Sequence, residues 1–413
     1  MGNNPPAETL DILHLSIIQN LFSSRMYFKE ALGAIKTGYT VGITAPISKF
    51  IPVKVSDISL FPLKTVGSSK FRLKATWSLF HSVLKKKFSI LHAHDMQTLL
   101  VGVILKKLRR CALIYDAHED YPFVHVRNFF NNPSFGDLQQ IWLYNLAFWI
   151  VSQIERYLCR SVDFVFTVDD LIAAKFSSWG LETFTLRNFA WREPPYISEN
   201  TCHIKEQLTE KLTEKEVFVY LGSIDRQVAA LECVQALALV RQTQPQAFLL
   251  FMGGFCDQEY ETEVKKEIGR LELNSSVAFV EEIPYPEVIP NLSVAKVGLL
   301  TYSVRDNYKD RNMFTHKLCD YLGAGLPMII SDFKGLRKAT ESLEIARYVN
   351  PADPESIARA MLFFLKSPLE TAEMAKKSCR AFQESLNWET EQQKLLGTYA
   401  RILNKKIKIH IQS

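Results

Sequence analysis

The sequence predicts an α/β protein of two domains, each a parallel sheet with helices on both faces. Three observations carry this. Short apolar runs of strand length alternate with longer amphipathic stretches, and the alternation stops once and then restarts. At 413 residues with 47% hydrophobic content, the chain can also bury two substantial cores.

The first series begins with a strand at 11–18, a helix at 25–36 and a strand at 39–44 that ends at Ala45-Pro46. It continues with a strand at 89–92, a helix at 96–108, a strand at 111–115, a long helical stretch at 138–159 and a strand at 162–167. From 188 the pattern breaks around Pro194-Pro195 and a polar stretch, which predicts a first domain at 1–190 and a linker at 191–215. The second domain, 216–385, carries strands at 217–221, 248–252, 276–280, 297–301, 327–331 and 346–349, with helices at 229–242, 259–273 and 356–366 between them. The last helix, within 386–413, has no strand after it and is expected to cross back to the first domain. No repeat of solenoid length is present.

Composition narrows the setting. The net charge of +5 is modest, with basic residues gathered at 85–87, 106–110 and 405–408; these are either solvated helix ends or contacts for anionic lipid or phosphate, and no nucleic-acid partner is expected. The 7 cysteines are scattered without a CxxC pair, so neither a zinc site nor a disulfide framework is indicated, and a reducing cytoplasm fits. The N-terminus lacks the pattern of a signal peptide. The longest apolar run, 141–151, is about half of a spanning helix, which predicts a cytoplasmic protein that is either soluble or peripheral at the inner face of a membrane. IWLYNLAFWI within it fits either a membrane-proximal surface or a buried helix.

Chemistry-bearing residues collect at predicted strand ends, where open α/β sheets bind ligands. The segment HKLCDYLGAGLPMIISD, 316–332, sets Lys317, Asp320 and Tyr321 at helical spacing, a cation, a carboxylate and an aromatic suited to a sugar nucleotide or to a plain surface ion pair. LHAHD brings His92, His94 and Asp95 to one strand end, and YDAHEDYP brings Asp116, His118, Glu119 and Asp120 to another. These groups suit recognition of sugar hydroxyls, local hydrogen bonds and helix caps, or a metal; HxHD lacks a partner motif of firm spacing, so no metal site is expected. In YLGSIDRQ, Gly222 and Ser223 follow a strand, as do Gly253 and Gly254, and small residues there let backbone approach a diphosphate. Neither is a GxGxxG fingerprint, which disfavours a dinucleotide.

Taken together, four segments resemble the GT-B glycosyltransferases of the family-4 type: SRMYFKEALGAIKTGYTVGITAP, ILHAHDMQTLLVGVILKKLRRCALIYDAHEDYP, IERYLCRSVDFVFTVDDLIA and THKLCDYLGAGLPMIISD. The resemblance implies two Rossmann-like α/β/α domains facing a central cleft, and a hexosyltransferase that takes sugar from a nucleotide donor with retention of configuration. The acceptor would be a saccharide or a lipid-linked glycan in cell-surface polysaccharide or glycoconjugate synthesis. No cofactor is expected, because the nucleotide sugar is a substrate. The residues that match are His118 at the transferred sugar, Asp320 at the ribose, Lys317 at the diphosphate, Gly222-Ser223 at the phosphate turn and Arg25 in the N-terminal loop. With the strand-end residues, the expected set is His118, Asp320 and Lys317 for catalysis. Gly222, Ser223, Arg226, Gly253, Asn312, Lys317, Asp320 and Tyr321 are expected at the donor, and Arg25, His94, Asp95 and Glu119 at the acceptor.

This chain departs from the family pattern in three places. Val228 and Ala229 stand where an arginine and a glycine are usual, Asn312 stands for the first acid of the paired-acid motif, and Asp320 is one methylene shorter than the usual glutamate. Arg226 and Arg311 are the candidates to replace the arginine. The departures keep two alternatives open: a weak or silent GT-B subunit with a binding role, and a GT-B sugar-nucleotide epimerase.

Overall fold

The computed structural model describes residues 9–47, 57–63, 72–130, 138–195, 204, 208–281, 283–303 and 314–404. The chain divides into two compact units, residues 1–187 with 391–413, and residues 188–390.

Seven parallel strands form the sheet of the first unit. They are β1 (Leu10–Leu15), β2 (Val41–Pro46), β3 (Ser59–Leu63), β4 (Phe88–Ala93), β5 (Ala112–Ala117), β6 (Phe164–Thr167) and β7 (Thr183–Thr185), in the order β3-β2-β1-β4-β5-β6-β7. Strands buried on both faces read as near-continuous apolar runs, and β4 and β5 do so until polar residues mark their ends. Register sets His14 of β1 directly beside His92 of β4. The loops that follow β1, β4 and β5 are therefore neighbours, because those three strands are neighbours.

The helix expected at 25–36 is present but irregular. Met26–Ala31 is wound as a π-helix, with the Glu30 N–H donating to the Arg25 carbonyl at 3.0 Å, before an α-helical turn at Leu32–Lys36. The sequence reading omits β3, β7 and the helix Arg72–Val83. β3 contains Pro62, which an edge strand tolerates because one side of its ladder is open, and β7 has 3 residues.

Helix Leu138–Cys159 settles an alternative that composition left open. Its Trp142, Trp149 and Tyr157 are 64%, 59% and 61% exposed, so this apolar stretch is surface and not a buried helix. Its inward side is polar in part: the Tyr115 hydroxyl donates to Glu155 at 3.0 Å, and Lys175 pairs with Glu155 at 2.6 Å. No helix among the described residues is long and apolar enough to cross a membrane.

The second unit has a six-stranded parallel sheet: β8 (Glu216–Leu221), β9 (Ala247–Met252), β10 (Val277–Val280), β11 (Val297–Leu300), β12 (Met328–Ser331) and β13 (Ala346–Val349). The order is β10-β9-β8-β11-β12-β13, so strand succession reverses between β8 and β11, the kind of switch point where such sheets bind ligands. Residues expected to stand as a linker belong to this unit. Trp191 and Ile204 are buried, a short helix runs over Thr209–Leu212, and the Ala190 carbonyl accepts from the Trp388 N–H at 2.8 Å. Polar composition hid this, because two buried side chains suffice to anchor the segment. The helix Trp388–Leu403 begins in the second unit, and from Glu391 it packs with the first, where the Tyr399 hydroxyl meets His92 Nδ1 at 2.7 Å.

Candidate functional site

In the second unit, two glycine turns meet backbone to backbone. Gly222 follows β8 with φ +101°, and Gly253 follows β9 with φ +147°, conformations that side chains rarely adopt. A Cβ on Gly253 would stand 2.3 Å from the Gly222 carbonyl oxygen, so glycine is required there by close approach as well as by φ. The Gly222 and Gly253 N–H groups are spent on the Met252 and Val280 carbonyls, at 2.7 and 2.8 Å. These glycines shape the turns and do not themselves supply donors.

Lys317 lies over this pair. A Cβ on Gly222 would meet Lys317 Cε at 2.8 Å. The ammonium hydrogen-bonds the Tyr220 hydroxyl and sits 4.0 Å from the Tyr220 ring centre and 5.4 Å from that of Tyr302. Burial pushes the Tyr220 phenol well above its ordinary range, with Tyr302 and Tyr321 adding to the shift, so the hydroxyl beside Lys317 is neutral. Lys317 is in the first turn of helix His316–Gly323, which Thr315 caps through Leu318 N–H. A helix start with a lysine at a glycine turn is suited to a phosphate group. Asp320, one turn on, is 6% exposed, and Ser223 is exposed on the rim of the turn.

Other expected donor residues are placed differently. Tyr321 is fully buried: its hydroxyl accepts from Leu221 N–H at 2.9 Å and lies 3.1 Å from the Val219 and Leu299 carbonyls. It ties the helix to β8 and β11 and does not reach a ligand, a correction that follows from the ring filling the space over Gly298. Arg226 is corrected too. Its guanidinium pairs with Glu263 at 2.8 Å and Asp257 at 3.3 Å and stacks over Tyr260, which holds it against helix Gln258–Arg270. Val228, at the position of the usual arginine, is buried and bridges Tyr302. Asn312 and Arg311 lie outside the described residues.

In the first unit, His118 follows β5 and keeps 12% of its side chain exposed. Its Nε2 is 2.7 Å from Gln19 Nε2 and 2.9 Å from the Tyr121 hydroxyl, and its Nδ1 is 3.8 Å from Asp116 Oδ1. The ring is thus gripped from the loops after β1 and β5. Glu119, next to it, is exposed.

Three expected acceptor residues are occupied internally. Arg25 is 1% exposed and donates to both oxygens of Asp116, at 2.6 and 2.8 Å, and to the Leu186 carbonyl at 2.8 Å. Burial alone would raise the Asp116 pKa, but Arg25, with His118 and His94 beside it, outweighs it and holds the carboxylate well below its ordinary range. Asp95 is fully buried. It caps helix Met96–Leu108 through Thr98 N–H at 2.8 Å and accepts from Ile17 N–H at 2.9 Å and Ser16 Oγ at 3.1 Å. His94 is buried against His14, Nε2 to Nδ1 at 2.8 Å. These three side chains are therefore engaged inside the first unit rather than presented to an acceptor. Gln19, Asp116, Tyr220 and Tyr302 are the site residues that the sequence reading did not single out for roles; only Asp116 and Tyr220 stood inside quoted motifs.

Comparison with known proteins identifies the family. The model of glycosyl transferases group 1 matches residues 204–382, and that of the glycosyl transferase 4-like domain matches 49–183. The chain is a GT-B glycosyltransferase of the family-4-like type. A search of curated protein sequences found no match. Among solved structures, the transferase is similar to sucrose-phosphate synthase from Thermosynechococcus elongatus (16% identity, 96% of this chain and 99% of that one, TM-score 0.67). It is also similar to Anabaena HepE in complex with UDP-glucose (15%, 95% and 100%, 0.66) and to trehalose 6-phosphate synthase from Burkholderia multivorans (11%, 96% and 99%, 0.67).

Proposed function

We propose that this glycosyltransferase moves a sugar, with retention at the anomeric carbon, from a nucleoside-diphosphate donor to a hydroxyl of a saccharide or lipid-linked acceptor. The observation that carries the proposal is Lys317 lying over the Gly222 turn. The diphosphate would bind the second unit against Lys317 and the start of helix His316–Gly323, and Asp320 would accept from the ribose hydroxyls. The similarity to a structure solved with UDP-glucose supports a uridine-type donor. His118 would orient the sugar through hydrogen bonds, steadied by Gln19 and Tyr121.

In the reaction, the bond between the anomeric carbon and the phosphate oxygen breaks and an acceptor oxygen takes its place, with the acceptor proton passing to the departing phosphate. Lys317 offsets the charge that develops on that group. A preorganised donor of this kind is worth about 3 kcal/mol. The test is nucleoside diphosphate release across a panel of nucleotide sugars, with oligosaccharide and lipid-linked acceptors, and assignment of the product anomer by NMR. Acceptor-dependent release and a retained anomer support the proposal. Donor binding without turnover would favour a silent binding subunit, and conversion of free donor would favour an epimerase.

We further propose peripheral membrane contact through helix Leu138–Cys159, in keeping with a lipid-linked acceptor at a cytoplasmic membrane face. Trp142, Leu146, Trp149, Ile150, Ile154 and Tyr157 are exposed on it, and its exposed described positions include Arg156 but no acid. Aromatic and aliphatic side chains with flanking cations suit an anionic interface.

A further inference from the structure

We propose that His14, His92, His94 and Glu30 form a binding site for one divalent transition-metal ion of the zinc class. One donor atom from each lies within 4.8 Å of the others, and all four side chains are fully buried. Glu30 Oε2 is the centre of the set, 3.7 Å from His14 Nδ1, 3.8 Å from His92 Nδ1 and 3.5 Å from His94 Nε2. Those separations are too long for hydrogen bonds. They are close to the edge of a tetrahedron around zinc, about 3.3–3.6 Å for metal–ligand bonds of about 2.0–2.2 Å.

The surroundings fit a cation. Glu30 Oε1 is ion-paired with Arg25 Nε at 3.0 Å, whereas Oε2 has no hydrogen-bond partner. Buried polar atoms left in that state are rare and call for a reason. Behind His94, Asp116 Oδ2 stands 3.3 Å from Nδ1, the order of carboxylate, imidazole and metal that fixes a ligand ring with its other nitrogen forward.

The rival arrangement is a cluster held by protons alone. His14 Nδ1 and His94 Nε2 are 2.8 Å apart with one proton between them, and His92 Nδ1 meets the Tyr399 hydroxyl at 2.7 Å. On binding, the ion takes the place of the proton between His14 and His94, which moves to the far nitrogen of the ring that carried it, and His92 gives up Tyr399. The ligands come from β1, β4 and the π-helical turn, so the ion would fasten elements far apart in sequence.

The test uses the full chain without an affinity tag, refolded from a chelator-stripped state in the presence of Co2+, because a fully buried site loads during folding. The expected result is a set of visible ligand-field bands saturating at one Co2+ per chain and erased by Zn2+. Glu30→Gln and His14→Gln should each weaken binding by about 100-fold or more, while His81→Gln on the surface leaves it unchanged. Tyr399→Phe, which keeps every ligand and frees His92, should tighten it; this variant serves if the ligand variants fail to fold. No bands in the wild-type chain at a large excess of Co2+ would overturn the proposal, as would bands that survive both ligand variants.

Discussion

The carbonyl oxygen of Gly222 occupies the place where a side chain on Gly253 would begin, 2.3 Å from an ideal Cβ. The two turns at the ends of β8 and β9 are thereby fitted to each other, and substitutions there have graded consequences. Gly253→Ala combines this clash with a φ of +147° and should cost about 1–3 kcal/mol, and it should weaken nucleoside diphosphate binding through displacement of the Gly222 turn. Gly254→Ala has nothing within 4 Å of the new methyl and should stay within about 0.5 kcal/mol of the parent. Urea unfolding and calorimetric titration of the two variants check both statements.

Lys317→Ala should lower turnover about 100-fold, because a charge-stabilising donor at the leaving group is lost. The fold should hold, since the helix keeps its Thr315 cap and its Tyr321 anchor. Steady-state kinetics beside circular dichroism separates the two effects; a variant with unchanged turnover would remove Lys317 from the proposed role.

Arg226→Ala should change turnover less than about threefold, since Asp257 and Glu263 hold the guanidinium on the surface and exposed pairs contribute little. A fall as large as that of Lys317→Ala would mean that Arg226 leaves those acids when donor binds.

The Arg25–Asp116 pair should behave as a buried ion pair. Arg25→Met leaves an unpaired carboxylate in the interior and should destabilise the first unit by about 3–5 kcal/mol, measured by chemical unfolding. The sign of the pH dependence follows from Asp116. Its native pKa is held below the unfolded value of 3.8, so the stabilisation is complete above that value and lost as pH falls through the native pKa. The part of the gap in unfolding free energy between the parent and Asp116→Asn that comes from Asp116 should therefore shrink as pH falls below 3.8 toward the native pKa.

Trp142→Ser with Trp149→Ser should release the protein from anionic vesicles even at low salt, without loss of turnover on a water-soluble acceptor. Flotation assays read the first and nucleotide release the second. Vesicle binding that the double variant retains would place the membrane contact elsewhere.

Much of the second unit was legible because its strands are six apolar runs, two of which end in glycine turns, and Gly222, Gly253, Lys317 and Asp320 stand on or beside elements that periodicity reveals. Tyr220 was harder to assign. An aromatic at the end of a buried strand looks like core, and only the fold shows that a lysine about a hundred residues later rests on its ring. Tyr321 shows the opposite error: helical spacing grouped it with Lys317 and Asp320, yet its hydroxyl is turned into the sheet. Arg226 was misjudged for a similar reason, as a flexible cation near a glycine turn has its partner chosen by nearby carboxylates that belong to another helix.

By itself the sequence determined two parallel α/β domains, the family, and which strand ends carry polar chemistry. These follow from local periodicity and turn residues, which act over a few positions. The tertiary structure alone decided that Arg25 serves Asp116, that Asp95 is a cap, that residue 191 is core and not linker, and that His14, Glu30, His92 and His94 converge. Such outcomes depend on strand order and register, which bring side chains from distant segments within a few ångströms and make each buried charge find its partner there.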